Sequence, residues 1–159
     1  GLADEYYTSE IAYEDFNPVG TEPWEPNVTA LLGGAPPKWA DLVEAATVLP
    51  TPWPKEVFEQ HARGIQERRA EIRAEERPES EMSALFTAQQ SFETQLLSDA
   101  AHADHVGAFQ GANYDAHAFY RPQTDCVMFT RDEVPFCAVC RRALERAIDL
   151  AAPPAGEGR

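Results

Sequence analysis

The chain has 159 residues and a mass of 17.6 kDa, enough for one domain with a real hydrophobic core. Its formal net charge of -14, from 27 acidic against 13 basic residues, argues against a nucleic-acid partner, which needs clustered Lys and Arg. No run of about 18 apolar residues is present, so neither a membrane span nor a signal peptide is expected, and the opening Gly1-Leu2-Ala3-Asp4-Glu5-Tyr6-Tyr7 reads like the middle of a protein.

Residues 1 to 54 hold Pro18, Pro23, Pro26, Pro36, Pro37, Pro50, Pro52 and Pro54, each removing a backbone donor and disfavouring helix just before it. Extended segments and turns are expected to dominate. Gly33-Gly34 marks a turn, and Trp39, Leu42, Val43 and Ala46 share one face of a short helix.

From Lys55 to about Arg77, Phe58, Ala62, Ile65 and Ile72 follow a helical period and predict an amphipathic helix that Pro78 ends. Ser80 or the adjacent acid is positioned to cap a second helix with the stripe Met82, Leu85, Phe86, Phe92, Leu96 and Leu97. The two form a helical hairpin within residues 55–101, and its stripes are expected to pack on each other. Val106 to Arg131 has glycines and a proline among aromatics and no helical period, which reads as irregular loop with short extended pieces. Pro135 lies near the start of a final helix with Val139, Ala143, Leu144, Ala147 and Ile148 as its buried stripe. The tail, residues 151–159, is polar and broken and is expected to be disordered.

The candidate chemistry is sparse. The four histidines, His61, His102, His105 and His117, include no pair four apart, so no HExxH motif is present. His102 and His105 are three apart, close enough on a helix to share a metal ion, though the pair reads first as surface. Three cysteines, Cys126, Cys137 and Cys140, leave several arrangements open. One is a disulfide from Cys126 to Cys137 or Cys140, another a Cys137/Cys140 redox pair at a helix start, and a third a structural zinc site completed by His117.

Two sets of landmarks resemble one family. Gly1-Leu2-Ala3-Asp4-Glu5-Tyr6 is similar to the segment that follows HExxH in the immunoglobulin A peptidase family of bacterial zinc metallopeptidases, with Glu25-Pro26-Asn27-Val28-Thr29 and Lys38-Trp39 next in order. Gly107-Ala108-Phe109-Gln110-Gly111-Ala112, Tyr120-Arg121-Pro122, Asp125-Cys126-Val127-Met128 and Phe136-Cys137-Ala138-Val139-Cys140-Arg141-Arg142 continue the match. The resemblance spans residues 1–150 and implies an α+β fold, mostly helical and irregular here: the C-terminal part of a metzincin-like catalytic domain with a Met turn and a final helix. It also implies a partial sequence, starting downstream of the active-site helix and inactive alone.

By the same resemblance the cofactor is zinc and the substrate a protein or peptide, hydrolysed internally by metal-activated water. Asp4, with Glu5 as its rival, is the implied zinc ligand within this chain, and Met128 is the implied floor of the metal site. Tyr114 and Tyr120 are implied donors to the developing oxyanion. Gln110 stands where the family has a glutamate. A secreted or cell-surface bacterial location is implied too. The competing expectation is a non-catalytic binding or structural module, with a helical hairpin and a cysteine-stapled final helix.

Overall fold

The computed structural model describes residues 1–7 and 20–152. After two short 3-10 turns, Leu32–Gly34 and Ala40–Leu42, come helices α1 (Lys55–Ala74) and α2 (Glu79–Ser98). Strands β1 (Phe109–Ala112) and β2 (Asp115–Arg121) follow, and helix α3 (Ala138–Ala151) closes the sequence of elements. The fold is α+β, mostly helical and irregular.

The α1/α2 hairpin forms as the apolar period requires, with Phe58, Ile65 and Ile72 buried from α1 and Met82 and Leu97 from α2. The link is tight because Glu76 takes a left-handed conformation (φ 49°) and the Arg77 N–H donates back to the Ile72 carbonyl at 3.0 Å, a Schellman closure made without glycine. Pro78 then starts α2. No side chain caps that helix, so the expected Ser80 cap is corrected: Pro78, extended at ψ 141°, already occupies the N-cap position.

Three other expectations change. The Trp39 to Ala46 helix shrinks to Ala40–Leu42, because Val43 is extended while the Trp39 ring turns inward and donates from Nε1 to the Gly107 carbonyl at 2.7 Å. The 106–131 stretch is more ordered than a loop: β1 and β2 pair antiparallel, with Phe109 opposite Arg121 and Gln110 opposite Tyr120. Asn113 and Tyr114, both at positive φ, turn the hairpin in the manner of its tightest connections. In α3 only Val139 and Cys140 are buried, whereas Ala147 is exposed and Ile148 is 63% exposed, so the predicted stripe covers the core for one turn only. The tail expectation for 153–159 lies outside the described residues.

Two clusters make the core. The larger gathers Tyr7, Trp39, Phe58, Leu97, Phe129, Val139 and the three cysteines; the smaller holds Ala3, Val28, Ala112 and Phe119. At their meeting point Arg121 is fully buried, its guanidinium 4.1 Å from the Trp53 ring and 3.7 Å from that of Phe129. It donates to the carbonyls of Thr124, Gln110 and Gly111.

The first seven residues thread between the β-hairpin and the turn at 127–129. Asn113 and Tyr114 donate N–H groups to the Asp4 and Tyr6 carbonyls at 3.0 and 2.9 Å, and the Glu5 N–H donates to the Met128 carbonyl at 3.0 Å. The segment is therefore extended and paired along both edges, and its side chains alternate. Ala3, Glu5 and Tyr7 are buried, while Asp4 is half-buried and Tyr6 exposed.

Candidate metal centre

This alternation sends two neighbouring carboxylates in different directions. Asp4 borders a cleft of 930 Å³ lined also by Tyr7, Phe58, Glu59, Glu93, Met128 and Phe129. Its Oδ2 accepts from the Tyr114 hydroxyl at 2.7 Å and its Oδ1 from the Tyr6 N–H at 3.0 Å, so both oxygens are oriented. Met128 lies in the turn beside it, half-buried against the larger core cluster.

Glu5 instead joins the cysteines. Its Oε1 accepts from Asn27 Nδ2 at 3.0 Å and lies 3.1 Å from Cys140 Sγ and 3.9 Å from Cys137 Sγ. Its Oε2 has no hydrogen-bond partner, although the residue is fully buried. Asn27, on the Glu25-to-Thr29 landmark, also exchanges two hydrogen bonds with the Ala3 backbone and locks the segment in place. Lys38 holds that landmark, donating to the Glu25 and Val28 carbonyls at 2.7 Å each.

Cys126, Cys137 and Cys140 are all buried and free, so none of the disulfides open at the level of sequence is present. One ligand atom each from Glu5, Cys126, Cys137 and Cys140 lies within 4.8 Å of all the others. His117, the fourth member expected for a cysteine site, is exposed on β2, and Glu5 stands in its place. His117 shares the strand face of Phe119 and Arg121, but it lies nearer the turn of the hairpin, where that face is no longer covered and the residue is exposed.

Burial pushes the Glu5 carboxyl up to about 8, with the Cys126 charge adding to it and Asn27, Cys140 and Arg121 opposing. Among the thiols, hydrogen bonds from Cys137 and Cys140 hold Cys126 well below the usual thiol range, and the same contacts push Cys137 and Cys140 up. One negative charge therefore localises on Cys126. The backbone agrees, for the N–H groups of Cys137 and Met128 both point at Cys126 Sγ, at 3.3 and 3.5 Å.

The other candidates are dispersed. Tyr114 bonds to Asp4, whereas Tyr120 sits on β2 paired with Gln110 and Thr29 and does not line the cleft. None of the four histidines lines the cleft either. His61 stacks on Phe92, with centroids 3.9 Å apart. His102 and His105 lie edge to face on turns after α2, not on a helix. Gln110 accepts from Lys55 Nζ at 2.9 Å and donates to the His117 carbonyl, tying the start of α1 to the hairpin.

Fold and site together define an α+β chain with an oriented carboxylate on a cleft and, behind it, a buried thiol cluster able to take a metal ion. The profile of the IgA Peptidase M64 family matches residues 1–148, and the chain belongs to that family of peptidases. No curated protein matches it. Among the described residues, no helix is long and apolar enough to cross a membrane.

Proposed function

We propose that this chain forms part of a zinc-dependent endopeptidase, with Asp4 as one metal ligand, Met128 beneath the metal and a protein or peptide substrate in the adjoining cleft. The observation that carries this reading is the Asp4 carboxylate, oriented through both oxygens at the rim of a cleft that Met128 also lines.

The residues present suit zinc as far as they go. A carboxylate oxygen is an ordinary zinc donor, and a ligand fixed by a neighbouring hydroxyl is the usual arrangement around such ions. With no HExxH in the chain and no histidine on the cleft, the remaining ligands and the general base come from outside these residues. Zinc bound there would acidify a water and polarise the scissile carbonyl. Within the chain, Asp4 holds its place because its backbone carbonyl is tied to Asn113 and its Oδ2 to Tyr114. In this reading Tyr114 acts through Asp4 as a positioning residue. Tyr6, Tyr7 and Phe58 give the cleft an aromatic wall for peptide side chains. Work at a bacterial surface or in secretion follows from the family and is part of the same proposal.

The test uses the intact protein and a mixed peptide library read by mass spectrometry. A zinc chelator should abolish cleavage and added zinc restore it, and Asp4→Asn should remove it. Tyr114→Phe should lower metal affinity or activity by about 10–100-fold, the scale for groups that orient a ligand. Wild-type cleavage by Asp4→Asn, or cleavage indifferent to chelator, would overturn the reading, and no cleavage by the zinc-loaded protein would leave a non-catalytic module.

A further inference from the structure

We propose that Glu5, Cys126, Cys137 and Cys140 form a second, structural zinc site, separate from the cleft, which clasps the N-terminal segment to the 127–129 turn and to the start of α3.

The geometry comes first. Four protein donors from three separate stretches lie within 4.8 Å of one another. A tetrahedral zinc with Zn–S near 2.3 Å has ligand-to-ligand edges of about 3.8 Å, so the four are already close to a coordination shell. All four residues are buried, which closes the shell to solvent and marks the site as structural, since a catalytic one keeps a position open.

Backbone N–H groups are aimed at two of the three sulfurs. Cys126 Sγ receives the N–H groups of Met128 and Cys137, and Cys137 Sγ receives that of Cys140 at 3.4 Å. A neutral thiol sulfur is a weak acceptor, whereas thiolates reward such donors, two at Cys126 and one at Cys137, and the thiolate is the ligating form. Cys137 is also the N-cap of α3, a helix of 14 residues whose dipole stabilises negative charge there.

Glu5 supplies the independent observation. A fully buried carboxylate oxygen without a partner is costly, and Glu5 Oε2 is such an atom, on a carboxyl group whose Oε1 lies 3.1 Å from Cys140 Sγ and 3.9 Å from Cys137 Sγ. A disulfide between any two cysteines would leave that oxygen and the third thiol unanswered, while a cation answers all four groups at once. Arg121, buried nearby with Glu5 and Cys126 among its electrostatic partners, offsets the excess negative charge of three thiolates and a carboxylate around a divalent ion. Thiolate-rich sites select zinc over calcium or magnesium.

The experiment is X-ray absorption at the zinc edge on the intact wild-type protein, isolated with zinc and without added oxidant. A sulfur shell near 2.3 Å is expected, because the cleft site proposed above offers no sulfur ligand and stays silent in that shell. Cys126→Ser and Cys140→Ser should each diminish it. Glu5→Gln, which keeps the size of the side chain and all three sulfurs, should retain the shell but weaken zinc by at least about tenfold in competition with a chelator. Zinc bound only through nitrogen and oxygen would overturn the proposal, as would iron in its place. So would a protein mass short by two hydrogens that signals a disulfide. Loss of peptide cleavage with the sulfur shell intact sinks the peptidase reading alone.

Discussion

Arg121 shows at one residue how this fold handles charge. Its guanidinium lies against the Trp53 and Phe129 rings and donates to three backbone carbonyls, of which that of Gln110 also accepts from Trp53 Nε1. Lysine keeps the charge but not the planar fork, so Arg121→Lys should leave carbonyls unpaired and cost about 1–3 kcal/mol in chemical denaturation. An unchanged denaturation midpoint would show that the fork is dispensable. Glu93 is a different case, because burial raises its pKa above the ordinary 4.5, with Gln89 and Arg131 opposing and Asp125 and Asp132 adding. The native state therefore holds this proton more tightly than the unfolded chain, and stability falls as pH rises from 4.5 through the native pKa. Glu93→Gln should accordingly stabilise the protein at neutral pH and lose that advantage below pH 4.5, as urea titrations across pH would show; a pH-independent difference would refute it. None of this was legible in the sequence, where Glu93 is one acid among 27 acidic residues. The split between Asp4 and Glu5 was partly legible, since strand alternation dictates that neighbours diverge. Which of them faces sulfur was not, because Glu5 and Cys140 are 135 positions apart.

At the level of elements, α1 and α2 were readable because a continuous helical period buries Phe58, Ile65, Ile72 and Leu97 without help from distant sequence. Leu97→Ala, at a side chain 1% exposed, should cost about 2–5 kcal/mol in thermal unfolding. The same periodicity in α3 misleads, for the helix leaves the core after its first turn. Ile148→Ser should change stability by no more than about 0.5 kcal/mol, and a larger loss would reveal an apolar partner for that face in solution. The β-hairpin escaped the pattern because Gly111, at φ 103°, breaks the register between Gln110 and Ala112. That glycine is required by contact, since a Cβ there would fall 2.5 Å from the Tyr7 ring. What looked like loop punctuation is the device that lets the N-terminal segment lie against the hairpin.

Across the whole molecule, the landmarks that carried the family resemblance prove to be the parts that hold one another. Asn27 grips Ala3 and Glu5, Trp39 grips Gly107, Glu5 grips Met128, and Cys137 grips Cys126, although sequence gives only their order. Such joints have a common consequence if the thiol cluster holds zinc. Binding to the native state alone adds RT ln(1 + [L]/Kd) to stability, about 2.7 kcal/mol at a hundredfold excess over Kd. Withdrawing the metal should loosen every stretch the cluster joins, of which the N-terminal one is far from the other two in sequence. Hydrogen exchange with and without chelator should therefore show residues 1–7, the 126–130 turn and the first turn of α3 losing protection together, with the far ends of α1 and α2 unchanged. Protection lost from the Asp4 segment alone would place the only metal at the cleft, because Cys126 and Cys137 would then keep their packing in its absence.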